Sequence, residues 1–131
     1  MADDQMPAPV AEFPDVQIGS LAELEMLILV MDSPERWWDA ESAAQKLTVS
    51  AAVAQRMLDG FAARNLLDIR ITGDVRYRFA PGSPQLMESV RLFSDFYRRM
   101  PAAVVRRIAR GAPRGIRDFA DAFRIRSRDR R

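Results

Sequence analysis

Three arginines, Arg70, Arg76 and Arg78, interrupt an alternating apolar pattern in the stretch LLDIRITGDVRYRF, residues 66–79. Leu67, Ile69 and Ile71, then Val75, Tyr77 and Phe79, recur at the period of a strand pair with one buried face. Parity decides how the two strands meet. A two-residue loop at Gly73 and Asp74 would oppose Ile71 with Arg76. A loop of Thr72, Gly73 and Asp74 opposes Ile71 with Val75 and Ile69 with Tyr77, keeping one face apolar, and this register is predicted. It sets Asp68 against Arg78, a favourable pair, and Arg70 against Arg76, an unfavourable one that costs a few tenths of a kcal/mol up to about 1 kcal/mol. An anion between the two guanidinium groups would reverse that sign. The chemistry expected of Arg70 and Arg76, with Arg78 behind them, is a grip on phosphate or entry into a nucleic-acid minor groove. The alternative is a solvated outer strand face.

A second cluster lies in TVSAAVAQRMLDGF, residues 48–61. Ser50, Ala51 and Ala52 are small, and Gln55 and Arg56 carry the side chains that bond adenine and guanine edges in pairs. Asp59, on the same stretch, would repel a nearby phosphate. The competing reading makes Gln55 and Arg56 the solvated side of an amphipathic helix. Trp37 and Trp38 fit a small-sheet core better than a stacking platform for single strands. The chain has no histidine and no cysteine, which removes thiolate chemistry, disulfides and the commonest ligand for a transition metal. No coherent carboxylate or arginine constellation replaces them, so neither an enzyme nor a cofactor is expected.

The 131 residues suit one core. Apolar content of 48% and charged content of 29% place the chain among ordinary globular domains. The longest apolar run, Met26 to Met31, is far short of the roughly 20 residues of a membrane helix, so no span is expected. An acidic start without an apolar segment argues against a signal peptide and for a cytoplasmic protein. The net charge of +2 conceals an asymmetry: residues 1–41 hold ten acids and one arginine, and residues 42–131 hold eight acids and nineteen basic residues. All but one of the twenty basic residues are arginine, which suits planar phosphate contacts but also follows from a biased base composition in the source genome.

These side chains need elements to carry them. Residues 1–17, with three prolines and four acids, read as a flexible acidic leader able to fold over the basic hairpin. Ser20 to Glu23 form a capping box for a first helix from Leu21 to about Met31, with Leu21, Leu24, Leu27, Ile28 and Met31 facing a core. Asp32, Ser33 and Pro34 end it, and the two tryptophans follow in a short extended piece. Asp39 caps a second helix of about residues 40–47, with Ala43, Ala44 and Leu47 inward. Thr48 and Val49 make a turn, and Ser50 caps a third helix to about Arg64, with Val53, Ala54, Met57, Leu58 and Phe61 on one side. Asn65 stands where a positive φ is wanted. Beyond the hairpin and the break at residues 80–84, Ser83 and Pro84 open a fourth helix to about Met100. Its residues Leu86, Val90, Phe93, Tyr97 and Met100 repeat with the seven-residue rhythm of a helix packed along another, or of a pocket lining. Pro101 ends or kinks it. A short helix with Val104, Val105 and Ile108 precedes a break at residues 111–115. A last helix with Ile116, Phe119, Ala120 and Phe123 leads to a basic tail, residues 124–131, suited to solvent, phosphate or anionic lipid.

Three helices with a tight turn between the second and third, then a two-stranded hairpin, make residues 20–80 resemble the winged helix-turn-helix family of bacterial transcription regulators. AAQKLTVSAAVAQRMLDGFAARNLL, residues 43–67, looks like that family's second helix, turn, cap, third helix and helix stop, and VRYRF, residues 75–79, like its second wing strand. Thr48 and Asn65 stand where the family often has glycine. The resemblance implies a mainly α fold with a small β-hairpin: a leader at 1–17, a winged helix-turn-helix domain at 18–80, a helical dimerisation arm at 84–125 and a basic tail at 126–131. It further implies a homodimer bound to double-stranded DNA, with Ser50, Ala51, Ala52, Gln55 and Arg56 of the third helix in the major groove and Arg70, Arg76 and Arg78 of the wing on phosphate or in the minor groove. The alternative is a winged-helix module that binds a protein partner and does not read DNA.

Overall fold

A computed structural model describes residues 6–110. The last predicted helix, the break before it and the basic tail lie outside the described residues. The elements run α1 (Ala8–Gln17), α2 (Leu21–Asp32), α3 (Ala40–Leu47), α4 (Ala51–Ala63), β1 (Leu67–Ile71), β2 (Val75–Phe79) and α5 (Pro84–Arg99), followed by α6 over residues 101–110. The fold is mainly α with one antiparallel hairpin: a winged helix-turn-helix followed by helices that extend beyond the wing.

Local rules explain most boundaries. The side chains of Ser20, Asp39, Ser50 and Ser83 accept from the backbone N–H groups of Glu23, Ser42, Val53 and Leu86, so four helices start on a capped first turn. The Ser20 cap is reciprocated one residue early, because Glu23 accepts from the N–H of Gly19 at 2.8 Å. Thr48 and Asn65 adopt φ of 59° and 70°, the left-handed region that ends α3 and turns the chain after α4. The hairpin pairs Ile71 with Val75, Ile69 with Tyr77 and Arg70 with Arg76, around a loop that Gly73 closes at φ 95°.

The leader is not flexible over residues 8–17; this part of it is α1. Pro9 falls in the first turn, where a missing N–H costs nothing, and Pro14 forfeits one bond inside the helix. Burial of Val10, Ala11, Phe13 and Pro14 outweighs that loss. The partner is α5: the rings of Phe13 and Phe93 lie 4.8 Å apart. The heptad stripe of α5 is thus covered by a helix of the same chain. Two polar ties hold α1 at its far end. Arg64 donates to the side chain and backbone carbonyl of Gln17 at 3.0 and 3.1 Å, and Arg107 of α6 meets Asp15 through two bonds of 2.7 and 3.1 Å. Over residues 8–17 the acidic leader therefore packs on α5 and α6 rather than on the wing.

Helix α2 departs from the one-faced pattern. Met26 and Val30 are fully buried with Leu24 and Leu27, whereas Leu21 is exposed, because α3, α4 and β2 all pack against it. On α6, Val104 and Ile108 are buried and Val105 is partly exposed. One buried cluster runs from Met6 to Ile108 and includes Trp38, Leu58, Phe61, Tyr77 and Phe93.

Phe13→Ala is expected to lower the unfolding free energy by about 3–5 kcal/mol, because the cavity opens between α1 and α5. Denaturant melts measure this directly, and a loss under about 1 kcal/mol would detach α1 from the core.

Candidate nucleic-acid interface

Tyr77 joins helix α4 to the wing. The Tyr77 ring is buried, and its backbone exchanges hydrogen bonds with Trp38, at 2.7 and 2.8 Å, which adds the extended Trp38 segment to the hairpin as a third, one-bridge strand. The Tyr77 hydroxyl donates to Asp59 Oδ1 and accepts from Gln55 Nε2. Gln55 and Asp59 lie one turn apart on α4 and are themselves bonded at 3.1 Å. Burial, and then the neighbouring carboxylate of Asp59, push the Tyr77 phenol up to about 12 from its ordinary 10.0.

This joint changes the reading of α4. Ser50, Ala51, Ala52 and Arg56 are exposed on its first turns, as a groove-reading face requires. Gln55 is not part of that free face: it is half-buried, with its amide donating to Asp59 and Tyr77. Beside the turn, an open cleft of about 630 Å³ runs between α3 and α4, lined by Glu41, Gln45, Thr48 and Ser50 among others.

The wing arginines lie on the face opposite Tyr77, and each has a partner within the chain. Arg76 Nε donates to Asp74 at 2.8 Å, with the two side chains 40% and 51% exposed. Arg78 meets Asp68 at 3.4 Å, also in solvent. Arg70 takes a different partner: its guanidinium lies 4.4 Å from the ring centre of Trp37, and that of Arg78 lies 4.5 Å from the same ring. The Arg70–Arg76 opposition is therefore offset by an aromatic ring on one side and a carboxylate on the other, without an external anion. Exposed pairs of this kind are worth about 0–1 kcal/mol, so a phosphate can displace them. Asp39, the α3 cap, has its carboxyl held below the ordinary value mainly by hydrogen bonds from Ser42 and to a smaller extent by Arg76.

The opposite face of the ribbon is apolar but uncovered towards the tip. Ile71 is 73%, Ile69 48% and Val75 39% exposed, so Leu67 and Tyr77, with Phe79 in part, deliver the burial that the alternation promised.

No family model matches the chain, and no curated protein matches it. A solved structure does: the crystal structure of RV1404 from Mycobacterium tuberculosis, at a TM-score of 0.51 and 17% identity, covering 92% of this chain and 86% of that one. That likeness shows the fold. Among the described residues no helix is long and apolar enough to cross a membrane.

Sequence reasoning missed the roles of four residues in this region. Trp37 was foreseen as core with Trp38, yet it carries two arginines; continuing the Trp38–Tyr77 pairing by one residue places it beside Arg78. Asp59 and Tyr77 gave no sign of a bond across 18 residues. Asp74 was read as a loop residue only.

Tyr77→Phe is expected to cost about 1–2 kcal/mol at neutral pH, since it leaves the amide of Gln55 and the carboxylate of Asp59 without the hydroxyl. The neutral phenol stabilises the fold fully below pH 10.0, and that contribution disappears as pH rises through about 12. The stability gap between wild type and Tyr77→Phe should therefore narrow across that window in denaturant melts; a constant gap would count against the joint.

Proposed function

We propose that the protein is a DNA-binding transcription regulator, a winged helix-turn-helix protein acting as a homodimer. The observation that carries this reading is the Gln55–Tyr77–Asp59 joint. It fixes the orientation of the exposed start of α4 relative to the wing, so a duplex that meets both meets them at a set spacing. In this reading Ser50, Ala51, Ala52 and Arg56 enter the major groove, and Arg56 supplies the one strong base contact of α4. Arg70, Arg76 and Arg78 contact phosphate or the minor groove and supply most of the affinity. Arg70 is the foremost of them, because Arg76 and Arg78 must first leave Asp74 and Asp68. The dimer is proposed through residues 84–125, of which 84–110 are described; Met87 and Val105 are exposed apolar side chains on that arm. The proposal includes no enzymatic activity and no cofactor.

A second reading, a module that binds a protein partner without reading DNA, is favoured by one observation. The uncovered Ile69, Ile71 and Val75 face is the kind of apolar patch that protein partners cover.

Selection of bound sequences from a random duplex pool at two salt concentrations separates the two. Enrichment of one sequence, with affinity falling steeply as salt rises, is expected for the regulator. No enrichment at either salt moves the assignment to the protein-binding module. Within the first reading, Arg70→Ala should lower the slope of log affinity against log salt by about 0.9 and Arg76→Ala by less.

A further inference from the structure

We infer that Trp37 is a positioning residue for phosphate capture, its indole holding the guanidinium groups of both Arg70 and Arg78 so that they are presented together to the DNA backbone. This rests on the DNA-binding reading above. Trp37 is half-buried, and its neighbour Trp38 is buried and bonded to Tyr77 through both backbone groups, so the indole projects from a fixed point beside β2. Both guanidinium carbons lie within 4.5 Å of the ring centre, which keeps them within about 9 Å of each other.

The kind of contact matters as much as its length. A carboxylate partner uses the N–H donors of arginine, as Asp74 uses Nε of Arg76. A ring contact uses the flat face of the guanidinium and leaves its in-plane donors for an anion. Among the described residues Arg70 has no carboxylate within salt-bridge distance, and Arg78 gives Asp68 one long contact of 3.4 Å. The ring thus restrains two long side chains without consuming the groups that recognise phosphate. Part of the ordering that binding requires is already done, which is how preorganisation raises affinity.

The test measures duplex affinity against salt for wild type, Trp37→Leu, Trp37→Phe, Arg70→Ala and the Trp37→Leu/Arg70→Ala double variant, using the sequence enriched from the pool. Trp37→Leu should weaken binding about two- to five-fold, Trp37→Phe should restore most of it, and the double variant should lose less than the sum of its parts. Fluorescence supplies a readout that holds even if Trp37→Leu fails to fold. Emission assigned to Trp37, as the difference between wild type and Trp37→Phe, should change when duplex is added and return with salt. Wild-type affinity and slope in Trp37→Leu beside a weakened Arg70→Ala, full additivity, or an unchanged Trp37 emission would each overturn this inference alone. A wild-type protein that binds no duplex overturns the proposed function and this inference with it.

Discussion

Tyr77 is held from three directions. Its backbone pairs with Ile69 on one side and Trp38 on the other, and its hydroxyl reaches across to Gln55 and Asp59 of α4. A buried hydroxyl is costly unless bonded, and here it is bonded twice. The wing of a two-stranded ribbon is marginal by itself. What makes this one a dependable surface is the anchoring of its second strand at mid-length to a capped helix and to the Trp38 segment. The orientation of α4 against the ribbon, and with it the spacing between Arg56 and the wing arginines, follows from that anchor.

The charge arrangement shows how the chain tolerates cations directly opposite on a narrow ribbon. Asp74 draws Arg76 towards the tip, and Trp37 engages Arg70 together with Arg78. The same economy recurs on α5, where Arg91 is shared between Glu88 and Asp95 and Arg98 also meets Asp95. The positive excess of the second part of the sequence is therefore less available locally than the count suggests. Arginines engaged by carboxylates must exchange one partner for another on binding, whereas one resting on a ring need not.

Features governed by local chemistry were legible in the sequence. The caps at Ser20, Asp39, Ser50 and Ser83, the left-handed Asn65 and the hairpin register all follow from neighbours a few residues apart. The register in particular was forced by parity, since a slip of one residue would have turned every apolar side chain outward. What escaped was non-local. Three prolines made residues 1–17 look structureless, and only the apolar surface of α5, some 80 residues on, outweighs the bond lost at Pro14. Gln55 looked like a free reader because nothing in its own helix shows that Tyr77 will arrive beside it. Alternation marked Ile69 and Ile71 as a face, but burial depends on what covers a face, and the ribbon extends past its support.

The placement of α1 has a consequence for how the chain reaches this state. Asp15 and Arg107, 92 positions apart, are joined by two short bonds, and Phe13 rests on Phe93. During synthesis from the amino terminus, α1 emerges long before the helices that cover it, while α2 to α4 can already collect around Leu27 and Leu58. A segment made before its partners is thus among the last to find its place. Its apolar side stays open to chaperones, or to a wrong neighbour, until α5 and α6 have been made.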